Sequence, residues 1–417
     1  MKKSNIPFVG LHAHSVAGSP FDALGYPQDH MDYAYDNGCE ALALTDHGNC
    51  NGLGYQVLHA KKMKEEGKDF KPIFGVEAYF IPSLESWNQE RDRAKNDKKR
   101  ASEIKDSTTM SVENEGETKR SKSILNQRSH LILLAQNQTG LNNIFAMISK
   151  SNSDEYFFRF PRVDYEVLRE HSEGVIASSA CMGGVYAANF WKFWDGENEV
   201  ISDHEACLEA FRETTREMVS IFGDRWYGEL QWHTDKKQHL INELVIQMHK
   251  EFGIKLISTA DSHYPNPDAW KDRELYKRLG FLGKGKPTWL SDELPESVAE
   301  VGYELYPKNG DQMWDSYKHY TQLNGVEYDD DLVMDSITET HNIAFNRIEA
   351  FMPDNEVRLP SFVVPDGYTA DAALETVSLE SLNKLGLLED PEYKARLVEE
   401  LSVISDRGFS KYFLTMK

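Results

Sequence analysis

Between residues 8 and 285 the sequence repeats one alternation, a short apolar run followed by a longer helical stretch, and few folds accommodate it. The runs are Glu40-Ala-Leu-Ala-Leu-Thr45, Pro72-Ile-Phe-Gly-Val76, His130-Leu-Ile-Leu-Leu-Ala135, Gly174-Val-Ile-Ala-Ser178, Trp226-Tyr-Gly-Glu-Leu230 and Ile254-Lys-Leu-Ile-Ser258. Helical stretches such as Pro27 to Gly38 and Asp203 to Phe222 lie between them. This order predicts an α/β fold with a parallel sheet or a closed β/α barrel. In either, chemistry gathers at the C-terminal ends of the strands.

Ahead of these runs, Phe8-Val-Gly-Leu-His-Ala-His-Ser15 reads as one more strand. Residues two apart on a strand share a face, so His12 and His14 present two imidazoles side by side, with Leu11 and Ala13 facing the other layer. A pair of that kind can hold one metal ion. Further candidates stand where strands end: Asp46 and His47 after Leu44-Thr45, Glu77 after Gly75-Val76, Cys181 after Ser178-Ser179-Ala180, and Asp261 and His263 after Thr259-Ala260. His130 begins its run instead of ending it. Singly, Asp46 fits a helix cap, Cys181 a small core residue and Asp261 a turn. Jointly, histidine, carboxylate and thiol at one edge of one sheet point to a multinuclear metal site.

A formal net charge of −22 excludes a protein that coats nucleic acid by neutralising phosphates, a mode that needs a basic surplus. It leaves room for one local site, because bound divalent ions carry their own charge. Cys39, Cys50, Cys181 and Cys207 show no C-x-x-C spacing, which suits a reducing compartment. With no apolar h-region near Met1 and no run of membrane-spanning length, the expectation is a cytoplasmic protein with no membrane contact. Residues 83–129 lack an apolar period and read as a charged, flexible insertion; a nucleic-acid-facing arm of Arg91, Arg93, Lys95, Lys98, Lys99 and Arg100 is the alternative. Beyond residue 285 the pattern becomes helical, with a helix near Ser336 to Ala350 and another apolar stripe at Leu397, Leu401 and Ile404 before Tyr412-Phe413-Leu414.

Several stretches together resemble the PHP domain (polymerase and histidinol phosphatase) that opens bacterial replicative, C-family DNA polymerase III alpha subunits. They are Leu11-His-Ala-His-Ser15, Ala43-Leu-Thr-Asp-His-Gly48, Phe74-Gly-Val-Glu-Ala-Tyr79, His130-Leu-Ile-Leu-Leu-Ala-Gln-Asn137, Glu173-Gly-Val-Ile-Ala-Ser-Ser-Ala-Cys-Met-Gly-Gly184, Glu229-Leu-Gln231 and Thr259-Ala-Asp-Ser-His-Tyr264. Asn342-Ile-Ala344, Leu359-Pro-Ser-Phe362 and the stretch from Arg396 to Leu414 are similar to the segment leading such polymerases into their palm. The resemblance implies a distorted seven-stranded β/α barrel over 1–285, followed over 286–417 by a linker and a mostly helical, partial palm-like segment.

It also implies up to three divalent ions, zinc or manganese, on His12, His14, Asp22, His47, Glu77, His130, Cys181, Asp261 and His263. His12, His14, Asp261 and His263 are then the catalytic candidates. Ser15 to Phe21 is one residue longer than the common pattern, which bears on Asp22. The implied activity is phosphoester hydrolysis, as a 3′→5′ exonuclease acting on DNA. The alternatives are a metal-stabilised scaffold of a polymerase and a free-standing phosphatase for a small ester. Asp329, Asp330 and Asp331 read as a surface loop with no adjoining strand, so this chain alone is expected not to extend a primer, and the remainder of a polymerase III alpha palm and fingers is its expected partner.

Overall fold

A computed structural model describes residues 4–96, 127–280, 295–354, 356 and 362–416. Six strands form one curled sheet: β1 (Ala41–Leu44), β2 (Lys71–Phe80), β3 (Ser129–Ala135), β4 (Val175–Ser178), β5 (Trp226–Leu230) and β6 (Lys255–Ser258), hydrogen-bonded in that order. They coincide with the six apolar runs, β2 running on through Phe80. β1–β2, β4–β5 and β5–β6 pair in parallel. β3, however, is antiparallel to both neighbours, with Gly75 opposite Leu134 and Ile132 opposite Ser178. The sheet is therefore mixed. Phe80 pairs with Ser129, so the insertion leaves β2 and enters β3 at the same end and needs no crossover along the sheet.

The stretch Phe8–His14 joins the two edges of this sheet. Gly10 bridges Leu42 and Ala13 bridges Ser262. Ala43 N donates to Gly10 O at 2.8 Å and His14 N to Ser262 O at 2.7 Å. Gly10 packs closely here: a Cβ would lie 2.9 Å from Leu42 Cδ1 and displace that side chain. With this seventh member the sheet curls round an apolar interior of Val9, Leu11, Ala41, Ala43, Ile73, Ile132, Leu134, Ile176, Tyr227 and Ile257. Each fully buried Leu or Ile there contributes about 1.5–3 kcal/mol. Alternate residues, such as Leu42 and Leu44, or Leu131 and Leu133, face the surrounding helices. The strict alternation expected of Phe8–Ser15 does not hold: Leu11 joins the interior and Ala13 packs with Met31 and Leu44 under the helix Pro27–Asp36. Isolated bridges in place of a regular ladder permit that shift.

Ile343, Ala344 and Ile348 close one end of the interior. Ile343 and Ala344 belong to a π-helical turn, Ile343–Arg347, that continues the helix Asp330–Asn342, and Ile348 follows it; Lys71 Nζ donates to the carbonyls of Ala344 and Ile348, each at 2.6 Å. That helix is fixed to the sheet by Ser336 and Ser258 hydroxyls 2.7 Å apart and by Val9 N donating to Thr340 Oγ1. The compact body thus extends to Pro353, and a second unit comprises Asp354–Lys417. Among its described residues the second unit has three helices, Ala370–Lys384, Pro391–Asp406 and Ser410–Met416, around a small core of Ala373, Leu374 and Leu414, against which Leu401 and Ile404 pack.

Two further expectations are corrected. Asp329 to Asp331 form a helix start and not a loop: Asp329 caps Asp331 N and Leu332 N, and Asp330 accepts from the Tyr317 hydroxyl at 2.6 Å. The insertion begins with a helix, Leu84–Asn96, whose Leu84 and Trp87 are buried in the main core. Arg91 donates to the carbonyls of Asp154 and Glu155 and is not available to an arm. Residues 97–126, with Lys98, Lys99 and Arg100, lie outside the described residues. No helix among the described residues is long and apolar enough to cross a membrane.

Lys308 is buried beside the Tyr306 ring, and burial pulls its ammonium down to about 8. Between that value and the unfolded lysine value of ~10.4 the unfolded chain binds the extra proton, so stability must rise with pH across this window. Below about 8 both states are charged and the burial penalty is complete. Measured against Lys308→Met, wild type should gain on the order of 2–3 kcal/mol of unfolding free energy between pH 7 and 10.5. A difference that stays flat across that range would show that the ammonium is not desolvated.

Candidate metal centre

The antiparallel course of β3 accounts for His130. Its first residues lie at the sheet end where the parallel strands finish, so a histidine that starts β3 stands beside a glutamate late in β2. Inward positions on β2 are Ile73, Gly75 and Glu77, and on β3 His130, Ile132 and Leu134, so Glu77 and His130 share the interior face. Loops after β1, β4 and β6 add His47, Cys181, Asp261 and His263 to that end.

All nine residues singled out in the sequence converge there. Glu77 sits among four imidazoles: His130 Nδ1 is 2.9 Å from Oε1, His12 Nε2 3.4 Å from Oε1, His14 Nε2 3.8 Å from Oε2, and His47 Nδ1 touches Oε2. Asp261 Oδ1 lies 2.9 Å from His12 Nε2, 3.2 Å from His14 Nε2 and 3.5 Å from His263 Nδ1. Asp22 is fully part of the group despite the longer loop, 2.9 Å from His47 Nε2 and 3.3 Å from His263 Nε2. Cys181 Sγ is 3.5 Å from His130 Nδ1. Three overlapping sets have donor atoms close enough to share one ion: His14 with His47 and His263, His12 with His14 and Asp261, and His47 with Glu77 and His130.

The electrostatics of this cluster call for cations. Burial alone would push Glu77 and Asp261 toward the neutral acid, but His130 and His47 around Glu77, and His12 and His263 around Asp261, hold both carboxyls well below their usual range. Burial pulls His14 down to about 3, with His47 and His263 acting in the same direction, so it is the neutral imidazole that binds metals. Both Glu77 oxygens, Asp261 Oδ1 and His47 Nδ1 are buried without a well-formed hydrogen bond among the described residues. Buried ionised oxygens left in that condition fit divalent ions in the donor set.

Residues not anticipated as site members hold the candidates in place. Glu229, inward on β5, accepts from His12 Nδ1 at 2.7 Å and from Ser178 Oγ at 2.7 Å, which turns His12 Nε2 toward the centre. His263 Nδ1 donates to the Asp261 carbonyl at 2.7 Å, which leaves its Nε2 facing Asp22. Arg273, fully buried, donates to Asp22 Oδ1 at 2.8 Å. Asp46 is no ligand; it accepts from Ser15 N, Ser15 Oγ and Ser19 Oγ and fixes the loop after His14. The sequence carried a signal for Glu229, an acidic residue in an otherwise apolar run. Arg273 had none, lying mid-helix. Phe21, Ala180 and Asp261 have positive φ values of 66°, 59° and 48°, so the backbone is strained next to Asp22 and Cys181 and at Asp261 itself.

A family model described as the PHP domain matches residues 10–233. The chain belongs to the PHP domain family. Among curated proteins it is similar to the DNA polymerase III subunit alpha of Aquifex aeolicus, 28% identical over 423 residues that cover 98% of this chain and 31% of that protein. The DNA polymerase III subunit alpha of Thermus aquaticus is 29% identical over 399 residues, covering 95% of this chain and 27% of that protein. The chain spans about a third of the length of the curated relatives it matches. Among solved structures, a histidinol phosphate phosphatase from Lactococcus lactis, in complex with zinc, L-histidinol and phosphate, is 14% identical, covering 67% of this chain and 95% of that one at a TM-score of 0.27.

Within the PHP site, the two Glu77 oxygens face different imidazoles, so its carboxylate would serve more than one ion where His130 would serve one. Elemental analysis after reconstitution should find at least one divalent ion per chain, with a larger loss in Glu77→Gln than in His130→Gln. Glu229→Gln, which touches no expected ligand position except through His12, should weaken metal affinity by ~10–100-fold. Equal metal content in all three variants would contradict this assignment.

Proposed function

We propose that this PHP chain is a metal-dependent phosphodiesterase of a DNA polymerase III alpha-like protein, and that it removes nucleotides from the 3′ end of DNA. The observation that carries the reading is the convergence of His12, His14, Asp22, His47, Glu77, His130, Cys181, Asp261 and His263 on one barrel end with buried, ionised oxygens among them. These residues would hold two or three divalent ions, zinc where imidazole and thiolate dominate or manganese where the carboxylates do. Such ions supply Lewis acidity, activating water near neutral pH and offsetting charge on the phosphoester oxygens.

The chain's own residues prepare that chemistry. Glu229 and the Asp261 carbonyl each take one ring N–H, from His12 and His263, so that the opposite nitrogens face inward as lone pairs. His263, then His47 and Arg273, keep Asp22 ionised, and the Arg273 hydrogen bond to Oδ1 holds it beside both imidazoles. No serine or cysteine nucleophile is needed. Cys181 stands at the edge of the cluster next to His130, with burial pushing its thiol well above the ordinary value in the absence of a cation, which suits a ligand and not a free nucleophile. The centre forms the floor of a cavity of about 770 Å³, large enough for a nucleotide and its phosphate.

The expected activity is release of nucleotides from single-stranded or mismatched DNA at the 3′ end. It should be abolished by chelation and by His14→Ala or Asp261→Asn. Hydrolysis that persists in His14→Ala, or that acts on mononucleotide-sized esters and spares DNA, would sink the exonuclease reading. Template-dependent primer extension belongs to the longer protein, through a palm and fingers that this chain would bind or continue into. The chain alone should give no extension product, and a template-dependent product would refute the division of labour.

A further inference from the structure

Around the mouth of the same cavity stand two cation–aromatic pairs that metal binding does not use. Arg128, two residues before His130, places its guanidinium 4.1 Å from the Phe160 ring centroid and 5.7 Å from that of Tyr79. Tyr79 in turn stacks with His47, their planes 13° apart, so this pair lies one ring away from the centre. On the Cys181 side, Lys237 Nζ sits 5.6 Å from the Trp191 ring, and Trp191 Nε1 donates to the Met182 carbonyl at 2.9 Å. Arg128, Phe160, Trp191 and Lys237 all line the cavity.

The first pair is built in. Arg162, 1% exposed and stacked on Trp87 at 4.8 Å, donates to the carbonyls of Gln127, Phe158 and Phe160. One buried guanidinium therefore ties the residue before Arg128 to the hairpin Phe157–Pro161 that carries Phe160. Lys237 shares its charge with Asp235, 3.4 Å away.

We propose that these pairs form a nucleotide subsite, with the terminal base of a single strand stacked on the Arg128–Phe160 platform and the backbone phosphates beside Arg128 and Lys237. This deepens the phosphodiesterase reading above and rests on it for the position of the scissile bond. Aromatic rings and guanidinium planes accept any base face, while the cations hold phosphate, the combination used to bind single strands without sequence preference. A duplex end keeps its terminal base stacked on its neighbour and must unpair to reach the platform. The subsite therefore selects frayed or mismatched ends.

The test is equilibrium binding of 5′-fluorescein-labelled oligothymidylate to the full chain by anisotropy, with calcium in place of a transition metal. Matched oligomers end in a normal or an abasic 3′ nucleotide, with a blunt duplex and an RNA strand as further arms. Wild type should prefer the base-bearing end by roughly tenfold. That preference should fall below about twofold in Phe160→Ala and in the volume-keeping Phe160→Leu. Arg128→Ala should weaken both oligomers, with partial recovery in Arg128→Lys, and metal content measured on each variant establishes that the centre is intact. Equal affinity for both ends in wild type, a preference that survives in Phe160→Leu with its metal in place, or tighter binding of the blunt duplex would overturn the subsite. A wild-type chain that cleaves a small phosphodiester yet binds no oligonucleotide overturns the subsite and leaves the phosphodiesterase reading standing. One that binds with the base preference and cleaves nothing upholds the subsite and removes the exonuclease.

Discussion

Glu77 is a carboxylate held at 0% exposure with imidazoles on four sides, and most of the barrel's upper end is arranged around that fact. An ionised oxygen taken out of water costs several kcal/mol unless charge or hydrogen bonds replace its hydration. The surrounding histidines can do so by carrying protons, and they can do so more effectively by sharing divalent ions, which concentrate positive charge where the two carboxylates Glu77 and Asp261 face each other's ligands. The same demand extends outward. Once His12 is committed through Nε2, its Nδ1 needs an acceptor, and Glu229, itself buried, meets it while taking hydrogen bonds from Ser178 and Thr259. Arg273 plays the matching part for Asp22. A polar network of this depth is stable only when every member is satisfied, and the Glu77 oxygens and Asp261 Oδ1, buried without a well-formed hydrogen bond, are the members that divalent ions would satisfy.

Strand direction decides which residues can take part. In an all-parallel barrel a ligand must stand at or after a strand's last residues. Reversal of β3 brings the start of one strand to the same end, so His130 meets Glu77 from the neighbouring strand at a register where Tyr79 opposes His130 and Glu77 opposes Ile132. Placing the insertion between β2 and β3 has a consequence for the cavity as well. The segment re-enters at Gln127 and Arg128, next to the centre, and the buried Arg162 fastens that re-entry point to the Phe160 hairpin.

Much of this was legible in the sequence because it is written in local patterns. All six strands are short apolar runs bounded by polar or glycine residues, and β5 is found at the limits read from the sequence, Trp226 to Leu230. Eight of the nine converging residues could be named because histidine, carboxylate and thiol recur at the ends or starts of apolar runs; Asp22, in the loop after His14, was named only through the family resemblance. What could not be read depends on contacts distant in the chain. The antiparallel β3 has no local signature, and neither does the burial of Trp87, which takes its partners Phe158 and Arg162 from some seventy residues later. The body's extension to Pro353 rests on Ser258 meeting Ser336 and Val9 meeting Thr340, pairings that polarity alone does not forecast. Asp329 to Asp331 looked like a loop because acidic runs do, yet the same acidity suits the first turn of a helix, where unpaired N–H groups and the helix dipole favour it.

The net charge of −22 would be reconciled with the proposed nucleic-acid substrate by where the charges sit. Around the cavity Asp22, Glu77 and Asp261 face imidazoles or Arg273, and Arg128, Lys237 and Lys277 are among the lining residues, Lys237 with Asp235 3.4 Å away. Under the proposed function, a strand approaching an acidic exterior would be repelled over most of the surface and admitted at this mouth, where divalent ions at the floor would add positive charge. Coating of duplex would be disfavoured while one end of one strand could enter. Discrimination would then lie in whether a terminal nucleotide is free to leave its neighbour and reach the platform beside His130.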